Sequence, residues 1–433
     1  MKDHLNANLG DIRYMPVEAL TPYTQNPRTH SKTQIRQIAD SIRRFRCINP
    51  VIVDEAGVVI AGHGRLEAAK LIGLTEIPTL PVDHLSEAEK QAYRIADNKL
   101  AENAGWDVDL LRIELQGLDE IDFDLSLTGF ETPELDGLLF GDQIDEPDPR
   151  DTLPETDPGA TPVSQLGDLW LLGPHRLFCG DATKAESWTQ LMAGETAQMV
   201  FTDPPYNVPI RGHVSGLGQV QHREFAMAAG EMSASEFTDF LKAVLGQMAG
   251  VSADGAIHFV CMDWAHLFEL LSAGQEVYSA LKNICVWAKS NGGMGSLYRS
   301  QHEMVAVFKA GRAPHINNVE LGKHGRYRTN VWAYAGMNSF GAERDDALAM
   351  HPTVKPVALV RDAILDCSER GGIVVDAFLG SGTTLIAAEA IGRRCFGMEL
   401  DPLYADLIVR RWQTQTGQQA VQVGSGLTFD DLV

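Results

Sequence analysis

The chain has 433 residues, enough for two or three domains. Its six cysteines, at 47, 179, 261, 285, 367 and 395, form no Cys-x-x-Cys pair, which argues against a disulfide scaffold or a zinc site and fits a reducing cytoplasm. The net charge of −22 argues against a nucleic-acid partner only until it is divided, because residues 119–160 carry −13, residues 1–118 carry −2 and residues 161–433 carry −7. Met1–Leu5 lacks a signal-peptide pattern and no apolar run reaches membrane-spanning length, so a cytoplasmic chain without a membrane partner is expected.

The first region reads as a small α/β domain. Ser31 and Gln34 suggest a capping box, followed by Ile35, Ile38, Ile42 and Phe45 at helical spacing. Val51–Val53 and Val58–Ile60 flank Asp54-Glu55-Ala56-Gly57 as a hairpin. Gly62-His63-Gly64-Arg65 then opens an apolar-periodic helix that ends near Gly73, and a Gly-rich turn at a helix start can cradle phosphate. Ser86 and Glu89 suggest a second capping box, for a helix to about Asn103. Asn49–Val53, Ile60–Ala69 and Ile95–Leu100 together resemble the ParB/sulfiredoxin-like N-terminal domain over residues 10–105. The resemblance implies a nucleotide or DNA contact at Gly62, His63, Gly64 and Arg65. Gly64 stands where partition proteins usually carry the first of two arginines, which argues against nucleotide hydrolysis. From Glu131 to Pro162 there are six prolines and three glycines with little apolar periodicity, the composition of a solvated linker.

A second α/β domain opens with strands at Leu169–Leu172 and Arg176–Cys179 around Gly173-Pro174. The apolar run Gln198–Phe201 reads as a buried strand ending in Asp203-Pro204-Pro205-Tyr206, where two prolines fix an extended loop. An acid, a proline carbonyl and an aromatic face at a strand's end suit a flat ring bearing an amino group. Residues 207–230 read as a functional loop and Ser233 to Met248 as a capped helix. Further strands are expected at 256–261, 284–287 and 304–308. Residues 289–300 and 311–350, with Lys309 just before the second stretch, interleave Lys289, Arg299, Arg312, Lys323, Arg326, Arg328 and Arg344 with Tyr298, Tyr327 and Trp332, a mixture suited to phosphates and bases.

The strand Ile373–Phe378, the turn around Gly380 and Gly382 and the helix Leu385–Ile391 make a nucleotide-type βα unit. Glu399 follows the next strand, nineteen residues after Gly380, where an acid reaches a ribose diol. A nicotinamide dinucleotide and S-adenosylmethionine both suit such a unit. The dinucleotide fingerprint wants a third glycine where Leu385 stands, which favours S-adenosylmethionine.

Asp203–Tyr206, then His351-Pro352-Thr353-Val354-Lys355-Pro356, then Asp376–Thr384 resemble, in that order, the β class of S-adenosylmethionine-dependent DNA amino-methyltransferases over residues 163–415. The resemblance implies a Rossmann-like, mostly parallel α/β sheet with circularly permuted motifs. It makes Asp203, Pro204, Pro205 and Tyr206 catalytic. It also implies that Asp181, Thr353, Lys355, Asp376, Phe378, Gly380, Ser381, Gly382, Thr383 and Glu399 bind the cofactor. Within that set Lys355 would pair with its carboxylate and Asp181 would meet its adenine. No metal is called for. The partner is double-stranded DNA, a homodimer is one arrangement open to the class, and restriction–modification is the usual setting. An Asp-initiated loop goes more often with adenine N6; cytosine N4, a ParB-like DNA-binding factor with a vestigial methylase fold, and protein glutamine methylation are the alternatives. The expected division is 10–118 ParB-like, 119–161 acidic linker, 162–415 methylase and 416–433 tail.

Overall fold

The computed structural model describes residues 11–141, 148–154, 159, 161–208, 228, 230–290, 292, 297–323, 326–335 and 354–433. It divides into two compact units, residues 1–139 and 140–433.

In the first unit, strands β1 (Arg13–Pro16), β2 (Val51–Val53), β3 (Val59–Ala61) and β4 (Glu76–Pro81) form a mixed sheet in the order β1-β4-β2-β3. Helices α1 (Lys32–Phe45) and α2 (His63–Leu71) pack beside it over Val51, Val59, Leu66 and Ile77. Ser31 caps α1 by accepting the Gln34 amide at 3.0 Å, while the Gln34 side chain turns to His30 Nδ1. The box at Ser86 and Glu89 is complete at the start of α3 (Glu87–Glu102). Helix α4 (Val108–Glu120) follows.

The stretch read as a linker also contains helix. Residues Thr132–Phe140 form α5, with Pro133 in its first turn and Leu135 and Leu139 buried. The buried leucines of this short helix outweigh the acidic composition.

The second unit is built on ten strands: β5 (Leu169–Leu172), β6 (His175–Cys179), β7 (Ala197–Thr202), β8 (Ser252–Met262), β9 (Ala280–Ala288), β10 (His302–Lys309), β11 (Val331–Ala333), β12 (Ile373–Asp376), β13 (Arg394–Glu399) and β14 (Val421–Gln422). Their order is β11-β9-β10-β8-β7-β12-β13-β6-β5-β14. The central five, β8-β7-β12-β13-β6, are parallel; β10 runs antiparallel between β8 and β9.

Alternation along each strand divides the core between the two faces of the sheet. Met199 and Phe201 join helices α9 (Val357–Cys367), α10 (Thr383–Ala390) and α11 (Pro402–Thr416) on one face. Val200 joins α6 (Ala185–Met192), α7 (Ala234–Gly250) and α8 (Leu267–Val277) on the other. The chain proceeds from β7 to β8 on one side and from β12 to β13 on the other, so the strand order reverses between β7 and β12. Ligands bind beyond the strand ends at such a reversal. No helix among the described residues is long and apolar enough to cross a membrane.

Candidate active site

The ends of β7 and β12 are tied together at the reversal. Thr202 Oγ1 donates to Asp376 Oδ1 at 2.8 Å, and that oxygen also accepts the Phe378 amide at 3.0 Å. Thr384 Oγ1 donates to Asp376 Oδ2 at 2.6 Å. Burial pushes the Asp376 carboxyl up to about 6, against the pull of these three donors. Asp376 thus braces two strands and the start of α10.

Beyond Asp376 the backbone turns through Gly380 and Gly382, with φ of 54° and 83°. Gly397 on β13 has no room for a side chain, because a Cβ there would lie 2.2 Å from Leu379 Cδ1. The turn is therefore seated directly on the next strand. Glu399 Oε2 accepts the Gly380 amide and its Oε1 the Asp401 amide, each at 2.9 Å. Burial raises the Glu399 carboxyl to about 7, although backbone donors favour its charged form. Arg411 on α11 holds the turn from below. It donates to the Ser381 carbonyl at 2.9 Å and lies 3.3 Å from Thr383 Oγ1, while its other terminal nitrogen donates to the Arg150 carbonyl at 2.8 Å.

One cavity is bordered by both motifs. Asp203, Pro204, Pro205, Tyr206, Lys355, Asp376, Phe378, Gly380, Ser381, Thr383 and Glu399 all line it. Gly382 lies behind it as the N-cap of α10. Asp181 stands at the end of β6 between two lining residues, Gly180 and Ala182, with its Oδ1 accepting the Thr183 amide at 2.8 Å. Thr353 lies outside the described residues.

At the Asp203 end, charges converge from four separate segments. Tyr206 Oη donates to Asp203 Oδ1 at 2.6 Å and lies 3.1 Å from Glu303 Oε2. Lys355 Nζ pairs with Asp203 Oδ2 and, at 2.9 Å, with Glu303 Oε2. Glu303 Oε1 pairs with Lys289. Burial pushes Asp203 up, and the neighbouring Glu303 adds to this, against the attraction of Lys355. Burial also pushes Glu303 up, but Lys355 and Lys289 outweigh it and hold that carboxyl down at about 2. Lys355 stays charged, since its two carboxylates outweigh burial, and Tyr206 stays protonated as a donor. In this structure the Lys355 ammonium, expected from the sequence to meet a cofactor carboxylate, thus sits on Asp203. Glu303 is a neighbour that motif reading missed, and Lys289, read from the sequence among cations suited to phosphates, pairs with it instead. The one sequence signal was an acid opening the buried strand His302–Lys309.

Two other groups of expected residues are placed differently. Arg326 and Arg328 do not face solvent, since both pair with Asp366 on α9 and Arg328 also reaches Asp362. Trp332 is buried against Phe259. The two arginines are thus tied to α9 and Trp332 to the sheet, while Tyr298 and Tyr327 remain exposed. Arg344 lies outside the described residues.

In the N-terminal unit, Gly62 caps α2 with φ 97°. His63 Nε2 accepts the Tyr23 amide at 3.3 Å, and burial with nearby Arg94 lowers the His63 pKa. A Cβ on Gly64 would meet Ile38 Cδ1 at 3.0 Å, so any side chain there must push the Ile38 tip of α1 aside. Arg65 donates to the Pro50 carbonyl at 3.3 Å.

Family models match three stretches of the chain, one of which crosses the boundary at residue 140 and the stretch read as a linker. Residues 197–410 match the N6/N4 DNA methylase family, residues 1–99 the ParB N-terminal domain and residues 109–166 the ParB-methyltransferase HTH domain. The chain is 42% identical over 80 residues to the ParB-like nuclease domain-containing protein YnaK of Escherichia coli (strain K12), covering 18% of this chain and 92% of that protein. It is 27% identical over 240 residues to the type II methyltransferase M2.DpnII of Streptococcus pneumoniae, covering 52% and 85%. Among solved structures, the PvuII DNA methyltransferase (cytosine-N4-specific) is similar at 17% identity and a TM-score of 0.42, covering 58% of this chain and 89% of that one. The chain joins a ParB N-terminal domain to a DNA methylase domain of the N6/N4 family.

Proposed function

We propose that this protein transfers a methyl group from S-adenosylmethionine to the exocyclic amine of a base flipped out of double-stranded DNA, and that the base is adenine, modified at N6. The observation that carries this reading is the meeting of the Asp203–Tyr206 loop with the Gly380–Glu399 cradle across one cavity. The cradle fits the cofactor: its left-handed glycines and the tight seat on Gly397 let backbone approach a ligand, and Glu399 offers a carboxylate to a ribose diol. Phe378, Gly380, Ser381 and Thr383 would hold it, with Asp181 and Gly382 supporting the rim. When bound, the cofactor supplies an electrophilic methyl on a sulfonium.

The remaining chemistry belongs to the chain. An exocyclic base amine is a weak nucleophile because its lone pair is delocalised into the ring. Asp203 and the Pro204 carbonyl accept its hydrogens and favour a tetrahedral nitrogen, an interaction strongest in the transition state. The rigid Pro204-Pro205 segment fixes the direction of attack. Tyr206 offers a face on which the extruded base stacks. Gly62–Arg65 in the N-terminal unit contacts a nucleotide or DNA. The same reading puts the enzyme in the cytoplasm, supported by six cysteines without disulfides, and allows two copies to act together.

The test is incubation of the full chain with methyl-labelled S-adenosylmethionine and mixed-sequence duplex DNA, beside Asp203→Ala, with nucleosides separated by mass. N6-methyladenine from the wild type alone is the expected product. N4-methylcytosine would overturn the base assignment and keep the mechanism. DNA without label would overturn the methyl-transfer reading itself.

A further inference from the structure

Asp203 carries two donors before any substrate arrives, the Tyr206 hydroxyl on Oδ1 and the Lys355 ammonium on Oδ2. Each draws electron density from the carboxylate that must accept the amine's hydrogen. Releasing Lys355 from Asp203 would strand an ammonium that is only 5% exposed, which is costly unless another anion holds it. Glu303 is that anion. It is 10% exposed at the side chain, and its Oε2 reaches the same two groups that Asp203 holds, Lys355 Nζ at 2.9 Å and Tyr206 Oη at 3.1 Å. Its other oxygen is fixed by Lys289. Strand register explains the delivery: Glu303, the second residue of antiparallel β10, lies opposite Trp287, and Lys289 follows two residues after Trp287, just past the end of β9. The two carboxylates and two ammoniums balance.

We infer that Glu303 is a positioning residue for the transfer step: it shares Lys355 and the Tyr206 hydroxyl with Asp203, so that Asp203 can turn an oxygen to the substrate amine without leaving a buried ammonium unpaired. No covalent step passes through Glu303. The inference rests on the methyl-transfer reading.

The test uses the full chain as wild type, Glu303→Gln and Glu303→Asp. It combines steady-state methylation of duplex DNA, equilibrium binding of S-adenosylmethionine by calorimetry, and thermal melting. Glu303→Gln is expected to lower kcat by about ten- to a hundredfold while cofactor Kd moves by less than about threefold. The charged and titratable groups facing Asp203 are Lys355, Glu303, Tyr206, Cys261 and Asp376. Removing one anion from that set favours ionised Asp203, so the acid limb of the kcat profile moves to lower pH. Glu303→Asp keeps the charge and recovers part of kcat. A kcat within twofold of wild type in Glu303→Gln overturns the inference. So does a fall in kcat matched by equal losses of cofactor binding and melting temperature with no shift in the acid limb, the signature of a merely structural role. A wild type that binds cofactor yet never methylates DNA overturns the underlying reading, an outcome distinct from both.

Discussion

Glu399 meets opposing demands. Burial favours its neutral form, and the ribose contact proposed for it favours the anion. With its carboxyl raised to about 7, the group gains a proton as the pH falls through neutrality. Binding that prefers the anion is complete above that value and weakens below it, approaching about tenfold per pH unit. Cofactor Kd measured by calorimetry between pH 6 and 8 is expected to rise toward the acid end in the wild type, and that component vanishes in Glu399→Gln. A wild-type profile parallel to the variant's would remove Glu399 from the ribose contact. At this scale the sequence was most informative where residue types stand in local order: Asp203–Tyr206, Gly380, Ser381, Thr383 and Glu399 line one cavity, and Gly382 caps α10 beside it. Glu303 was illegible, and Lys289 legible only as a loose cation, because their meaning lies in partners. Tyr206 is 97 residues from Glu303, and no spacing rule reports that pairing.

Strands buried on both faces announced themselves as continuous apolar runs, and those around Asp203 and Asp376 fall where expected. Helix α9 did not, because Arg361, Asp362 and Asp366 interrupt its apolar residues and resemble a solvated face. All three are in fact buried, and the two acids receive Arg326 and Arg328. The basic insertion was misread and helix α9 left unread for the same reason: sequence shows charges singly, whereas the fold pairs them. Arg411 on α11 shows how much one such charge can hold. It joins the Ser381 carbonyl to the Arg150 carbonyl in the core, and burial lowers its pKa to about 10. Arg411→Met would leave both carbonyls without that donor, and is expected to cost about 2–5 kcal/mol in urea unfolding while loosening cofactor binding through Ser381. Unchanged stability would show that the carbonyls find other donors.

The whole chain divides near residue 140, yet a short segment after that point belongs firmly to the methylase unit. Asp151 Oδ1 accepts the Val357 amide at 2.8 Å, capping the start of α9, and the Arg150 carbonyl accepts Arg411. A chain comprising residues 140–433 is therefore expected to resist urea better than one comprising residues 161–433, by about 1–3 kcal/mol. Equal midpoints and slopes would show that the segment contributes nothing. The boundary was blurred in the sequence because proline and acid dominate its composition, while its binding to the core uses a few side chains and carbonyls. The charge cluster also bears on how the chain reaches its active form. Asp203 and Lys355 are 152 residues apart, and Glu303 comes to them from an antiparallel strand between. Helices form within microseconds and hairpins soon after, whereas closures of that length come late and slowly. During refolding, far-UV dichroism should recover well before catalysis, leaving an interval in which the chain has most of its helix but not the convergence of segments on which its chemistry depends.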